Sequence, residues 1–143
     1  MPAPASFEYA IIRVMPRVER GEFLNAGIIV YSKGLGYLKA RVELHRECLA
    51  AMAPDVDPDD VWEHLCCIPK LCEGTKDSGP LGKLSRSERF NWLVAPRSTV
   101  VQTSPVHAGL TADPDATLNH LMKTLVQRPE RSGAGGPPEP GAP

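Results

Sequence analysis

The sequence lacks an excess of either charge, because 16 basic residues face 17 acidic ones and the formal net charge is -1. Nucleic-acid binding and binding to anionic membranes depend on clustered positive charge that releases counterions, so this balance disfavours both. A local anion pocket built from a few arginines remains compatible with it. The sequence also lacks an apolar run long enough to span a bilayer, and its first residues, MPAPAS, have neither the charged nor the apolar part of a signal peptide. We expect a cytosolic protein.

No CxxC pair occurs, although structural zinc sites usually take their cysteine ligands at such short spacing. The four cysteines are Cys48, Cys66, Cys67 and Cys72. On a helix, the adjacent Cys66 and Cys67 diverge by about a quarter turn. We therefore predict free thiols, as expected in a reducing compartment, with no metal site and no cofactor.

The end of the sequence has no aliphatic residue larger than alanine. Residues 128–143 read RPERSGAGGPPEPGAP, a composition that buries too little apolar surface to offset the entropy of ordering the chain. We predict a single domain over residues 1–127 followed by a disordered tail over 128–143.

Three apolar segments joined by short links predict an antiparallel meander. They are FEYAIIRV (7–14), FLNAGIIVYS (23–32) and YLKARVEL (37–44), and the links carry Pro16, Gly21 and the turn KGLG. The third segment alternates apolar and charged residues, which is typical of a strand with one face toward solvent.

Helical signals follow the meander. HRECLAAMA (45–53) and residues 55–74 have apolar residues at helical spacing, with a kink or a break expected at Pro69. FNWLVAP (90–96) and STVVQTS (98–104) are predicted to be two short strands, and an amphipathic helix is predicted from Asp113 to Leu125. The predicted fold is α+β: an antiparallel sheet of about five strands, made of the three-strand meander and a later hairpin, with helices packed on one face.

The first two strands carry polar residues near their inner ends. Strand alternation places Arg13 on the face of Phe7, Tyr9 and Ile11, and Asn25 on the face of Gly27, Ile29 and Tyr31. Two interpretations are open. Arg13 pairs with Glu22 while Asn25 bonds the turn backbone, or these residues form a ligand site beside Gly27, where a backbone or a ligand approaches closely.

A second polar group lies in APRSTVVQTSPVHAGL, which holds Arg97, Gln102, Ser104 and His107. An arginine next to hydroxyls at a turn binds phosphate or carboxylate through charge-assisted hydrogen bonds. His107 is the best candidate for proton transfer. Ordinary turn chemistry explains the same residues, and no arrangement of nucleophile, base and orienting group is present.

The segments FEYAIIRVMPRVERGEFLNAGIIVY, SERFNWLVAPRSTVVQTSPVHAGL and LNHLMKTLV resemble DUF3037, a bacterial family of domains of unknown function. The positions that match the motifs are Arg13, Pro16, Glu22, Asn25, Gly27, Arg97, Gln102, Ser104 and His107. The resemblance implies no established activity. It implies a partner, because members often look like the second gene of a pair whose other product resembles a HipA-like kinase.

Two functional hypotheses follow. The first is a small cytosolic accessory protein that binds a partner, namely a HipA-like kinase encoded nearby. The second is an enzyme or ligand-binding domain with an anion pocket formed by Arg13, Arg97, Asn25, Gln102 and His107. The second requires that the opening hairpin and the segment around Arg97 be neighbours in space.

Overall fold

The computed structural model describes residues 3–74, 79–97 and 99–127, so the predicted tail (128–143) lies outside the described residues and the domain boundary at 127 stays a prediction. Within these ranges the chain forms a five-stranded antiparallel sheet and four α-helices, which confirms the α+β class. The elements are β1 (Ala5–Val14), β2 (Leu24–Ser32), β3 (Tyr37–Val42), α1 (Arg46–Met52), α2 (Pro58–Glu73), α3 (Arg86–Leu93), β4 (Val101–Thr103), β5 (His107–Thr111) and α4 (Pro114–Leu121), which continues as a π-helical segment (Met122–Val126).

The predicted meander is confirmed, whereas the later hairpin is wrong. β1, β2 and β3 pair in sequence order, but β4 and β5 do not pair with each other. Both run antiparallel to β1, with β4 along Ile12–Val14 and β5 along residues 5–9. They are two halves of one interrupted strand. Ser104 joins the halves, because its N–H donates to Ile11 O (2.8 Å) and its Oγ accepts from Ile11 N–H (2.9 Å).

The first of the two later strands, predicted over 90–96, is instead largely helical. Phe90 and Leu93 belong to α3, which begins with a capping box in which Ser85 Oγ accepts from Glu88 N–H and the Glu88 carboxylate accepts from Ser85 N–H. Phe90 and Leu93, three residues apart, are both buried. The capping box and the three-residue spacing of the buried side chains favour a helix, whereas the apolar composition of the segment alone suggests a strand.

Helices cover both faces of the sheet rather than one. α1, α2 and α3 pack on the face that carries Ile29 and Tyr31, whereas α4 and the π-helical segment pack on the face that carries Ile28 and Val30. The physical reason is that β2 lies inside the sheet and is apolar on both faces. A single layer of helices would leave half of its side chains exposed to solvent.

A β-bulge at Ala26 changes which way Asn25 faces. Ile12 is paired with Gly27 and Arg13 with Asn25, so Ala26 is the extra residue on β2. Beyond the bulge the alternation shifts by one, and Asn25 faces the π-helical segment rather than sharing a face with Ile29 and Tyr31. The predicted grouping of Asn25 with those residues is therefore wrong.

Gly27 lies where a neighbouring backbone approaches closely. A Cβ at this position would lie 2.4 Å from the Arg41 main-chain oxygen and 2.9 Å from Ile12 Cδ1. Of the two occupants considered for the gap beside Gly27, the backbone of β3 is the one present.

α2 remains continuous through Pro69, where a kink or break was expected. The Asp57 carboxylate accepts from Asp59 N–H at its start, and Gly74 ends it in the left-handed region with a φ of 68°. Among the described residues, no helix has the length and apolar character that crossing a membrane requires.

Candidate functional site

A groove of about 740 Å³ opens on the face of the sheet covered by α2 and α3. Its walls are mainly apolar and include Ile68 and Leu71 from α2, Leu93 from α3, and Val101 from β4. His64, Lys70 and Arg97 supply its basic groups, and none of its described lining residues is acidic. We call this feature the α2–α3 groove. Its size is within the range of sites that bind small molecules.

Trp92 and Arg97 form a paired platform at the groove. The Arg97 guanidinium lies over the Trp92 ring, 4.1 Å from its centroid, and also donates a hydrogen bond to the Trp92 main-chain oxygen. Trp92 remains 43% exposed. Both partners of Arg97 are uncharged, and within the described ranges it makes no ion pair. Its positive charge is therefore held over the Trp92 ring, and no described carboxylate neutralises it.

The α2 wall contributes a thiol to the same groove. His64, Cys67 and Lys70 are spaced by three residues and line one side of it. Cys67 is exposed, and its Sγ contacts the Glu63 main-chain oxygen at 3.4 Å. In the described part of the chain, no three His, Cys, Asp or Glu side chains are grouped so as to hold a metal ion.

Three of the predicted site residues form a row across the sheet, which we call the polar row. Arg13 on β1 is directly opposite Asn25 on β2 and Gln102 on β4. The Arg13 guanidinium lies over the Phe23 ring, 4.2 Å from its centroid. Asn25 Nδ2 donates to Leu125 O (2.9 Å), and Gln102 Nε2 donates to Thr99 O (2.6 Å).

The polar row contains two buried atoms that have no hydrogen-bond partner among the described residues. They are Arg13 Nε and Asn25 Oδ1, a donor and an acceptor on neighbouring strands. Buried polar atoms are usually paired, so each of these atoms has an unused hydrogen-bonding capacity that a water molecule or a ligand group could meet.

Glu22 and Asn25, in the hairpin of β1 and β2, do not make the contacts that the turn interpretation predicts. Glu22 binds Arg20 rather than Arg13, with Arg20 Nε 2.6 Å from Glu22 Oε1, and this hydrogen bond lowers the pKa of the Glu22 carboxyl. Asn25 bonds Leu125 near the end of the domain instead of the turn backbone. The turn is therefore not held by Arg13 and Asn25.

The other predicted residues take separate places. His107 is exposed and its ring packs against the Tyr9 ring at a tilt of 32°, with 5.1 Å between the centroids. It lies on the same face as the polar row but two side chains further along β1. Ser104 is 1% exposed and is occupied in joining β4 to β5. Arg97 lies with Val101 on the α2–α3 face, whereas Gln102 lies in the polar row. The two arginines of the hypothesised anion pocket are thus on opposite faces of the sheet.

A family model described as "Protein of unknown function (DUF3037)" matches residues 9–126. The chain belongs to the DUF3037 family. No curated protein and no solved structure matches it. The DUF3037 match runs from β1 to the end of the π-helical segment, so it includes both the α2–α3 groove and the polar row.

Sequence reasoning missed the groove of this DUF3037 chain because it placed Trp92 in a strand. The signal that identifies it is the SxxE pattern at Ser85 and Glu88, which starts a helix. With Phe90 and Leu93 on the inner side of that helix, Trp92 falls near the outside, next to Arg97.

Proposed function

We propose that this DUF3037 protein is a small accessory protein of the bacterial cytosol that binds a partner protein through the α2–α3 groove. A HipA-like kinase is the first partner to test. The observation that carries the proposal is an apolar groove whose exposed Trp92 is paired with Arg97, which makes no ion pair with any described residue. Trp and Arg are among the residue types that dominate the binding energy of protein interfaces.

The chemistry of the groove favours a particular kind of partner segment. Apolar walls take the apolar side of an amphipathic helix, as in other helix-in-groove complexes. The basic groups of Lys70 and Arg97 favour acidic residues beside that apolar side, because complementary charge raises the association rate and rejects basic competitors. We therefore expect an acidic amphipathic segment in the partner.

The two parts of the proposal have different support. The mode of binding follows from the groove. The kinase follows from the family resemblance, in which the neighbouring gene product often resembles a HipA-like kinase. A kinase that binds elsewhere on this protein would contradict the first part while leaving the second intact.

Co-expression with the neighbouring HipA-like kinase, followed by size-exclusion chromatography at micromolar concentration, tests the partner. A single co-eluting peak is expected, and two independent peaks would contradict it. Trp92→Ala and Arg97→Glu are each expected to weaken binding at least about 10-fold, measured by calorimetry. Lys33→Glu, an exposed charge reversal in the turn between β2 and β3, is the matched control and should bind like the unchanged protein.

The polar row supports a second candidate, a ligand-binding function that involves Arg13, Asn25 and Gln102 without Arg97. The observation in its favour is that Arg13 and Asn25, which are paired across β1 and β2, each keep a buried polar atom without a partner among the described residues. A group that accepts from one and donates to the other, such as a hydroxyl or an amide, satisfies both. A thermal-shift series with small hydroxy acids tests this: stabilisation should disappear in Arg13→Met, and equal stabilisation of both proteins would contradict it.

A further inference from the structure

β5 is an edge strand whose outer side has no partner among the described residues. It pairs with β1 along residues 5–9, and no other strand in residues 3–74, 79–97 and 99–127 pairs with it. Such an edge presents unpaired N–H and C=O groups and is a template for pairing with another strand.

The two edges of the sheet differ in how they are protected. β3, at the opposite edge, carries Lys39 and Arg41, which bind Asp115 and Asn119 of α4. Charged side chains and a covering helix are the usual means of blocking an edge. The β4–β5 edge has no such charged side chains, because residues 101–111 (VQTSPVHAGLT) contain no Lys, Arg, Asp or Glu.

The hydrogen-bond pattern shows which groups of β5 point outward. Odd-numbered residues of β1 direct their backbone toward β4 and β5, since Ile11 exchanges bonds with Ser104 and Met15 N–H donates to Val100 O. β5 residues opposite odd-numbered β1 residues, such as Gly109 opposite Phe7, therefore bond inward. Antiparallel alternation leaves the N–H and C=O groups of Ala108 and Leu110 directed away from the sheet.

We propose that β5 pairs antiparallel with β5 of a second copy of this chain, with the two-fold axis at Gly109. In this register Ala108 and Leu110 of each copy form hydrogen-bonded pairs with Leu110 and Ala108 of the other. Backbone hydrogen bonds form between the two copies only if an outward-directed residue of one strand lies opposite an outward-directed residue of the other. The register centred on Gly109 meets this condition, because it places Ala108 opposite Leu110 in both directions. A homodimer with such a two-fold axis is the commonest form of soluble oligomer.

The side chains of the strand suit self-pairing. Leu110 is 74% exposed and is placed to pack over Ala108 of the second copy. Gly109 leaves the axis free of side chains, and a Cβ there would lie 2.8 Å from the Phe7 ring. Since β5 (HAGLT) contains no Lys, Arg, Asp or Glu, pairing it with itself brings no fixed like charges together. This contact is separate from the α2–α3 groove and does not depend on the proposed function.

Sedimentation velocity between about 5 and 500 µM tests the dimer, for which we expect a dissociation constant of about 10–100 µM because the contact is short. Leu110→Pro removes one outward N–H without removing a bond to β1, and Gly109 before it tolerates the proline. Leu110→Lys adds a charge to the edge. Each variant is expected to raise the dissociation constant at least about 10-fold.

Leu35→Lys, in the turn between β2 and β3, is the control and should dimerise like the unchanged protein. Circular dichroism confirms that each variant is folded. The proposal is overturned if the unchanged protein is monomeric throughout the concentration range. It is also overturned if a dimer forms and Leu110→Pro and Leu110→Lys, both folded, leave its dissociation constant unchanged.

Discussion

Asn25 and Leu125, one hundred residues apart in the chain, are joined by a hydrogen bond of 2.9 Å from Asn25 Nδ2 to the main-chain oxygen. His45 makes a similar contact with the next residue, with Nε2 3.0 Å from Val126 O. The carbonyls of the π-helical segment lack ordinary helical partners at its end, so side chains from the sheet side of the domain satisfy them. The amide of Asn25 therefore anchors the last segment of the domain to the sheet.

Asn25→Ala should lower the free energy of unfolding by about 1–3 kcal/mol, because the Leu125 oxygen loses its donor in a part-buried place. Asn25→Asp should cost more, since it sets a carboxylate against a carbonyl oxygen. Urea denaturation at neutral pH measures both. Asn91→Ala, an exposed change on α3, is the control, and an equal loss in Asn25→Ala and Asn91→Ala would contradict the anchoring role.

Gly27→Ala should be among the more damaging single substitutions in the sheet. The added Cβ would lie 2.4 Å from the Arg41 oxygen, and this backbone atom is held in the β2–β3 ladder. We expect a loss of about 3 kcal/mol in stability. Gly34→Ala is the matched control, because its Cβ would lie 3.6 Å from Ala5 Cβ, an ordinary contact. A thermal melt in which the two variants behave alike would contradict this account.

The sequence predicted the meander because its information is local: each strand alternates or is apolar over its own length, and short turns join consecutive strands. The bulge at Ala26 was not predictable in the same way. One extra residue in a strand does not change the apolar composition from which a strand is predicted. The sequence marks the bulge only by the adjacent Gly27, and this glycine is required because the Arg41 backbone approaches it closely. The face of Asn25 was therefore assigned wrongly.

The pairing of β4 and β5 with β1 was also beyond local pattern. Gln102 and Arg13 are directly opposite although they are far apart in the chain, and a hairpin between consecutive strands is the simpler expectation. The candidate site was predicted only in part, because its residues are brought together by pairing between distant parts of the chain. Arg13, Asn25 and Gln102 come together through strand pairing. Arg97 lies on the opposite face of the sheet, in the link between α3 and β4, before the chain enters the sheet.

Ser104→Ala should destabilise the domain by about 1–3 kcal/mol, because it leaves the Ile11 N–H without an acceptor inside the sheet. The same hydroxyl donates to the Pro105 oxygen, so one side chain satisfies two backbone groups where the strand is interrupted. Amide hydrogen exchange is the sharper readout, since Ile11 N–H should lose protection. Thr103→Ala, with the neighbouring residue changed instead, should leave that protection unchanged.

The buried thiol of Cys72 should lower the free energy of unfolding in alkaline solution. Burial raises the pKa of its thiol from 9.0 to about 12 in the folded protein, although the nearby Arg89 acts in the opposite direction. Because the folded pKa is above the unfolded one, the thiol's contribution to stability is complete below pH 9 and is lost as pH rises toward 12. Above the unfolded pKa, the loss amounts to about 1.4 kcal/mol per pH unit.

The comparison is between the unchanged protein and Cys72→Ala, unfolded by urea with reductant present, from about pH 8 to pH 10.5. Cys72→Ala should be the less stable of the two at pH 8, because it removes a buried side chain. The difference should narrow above pH 9, because only the unchanged protein has a buried thiol whose unfolded form releases a proton. Tyr37, whose pKa is raised by burial and by its hydrogen bond to Asp115, titrates in both proteins. Its contribution largely cancels in the difference, because Cys72 is the smallest of the causes of its pKa shift. Two stability curves that stay parallel across this range would show that the Cys72 thiol is not held neutral by burial.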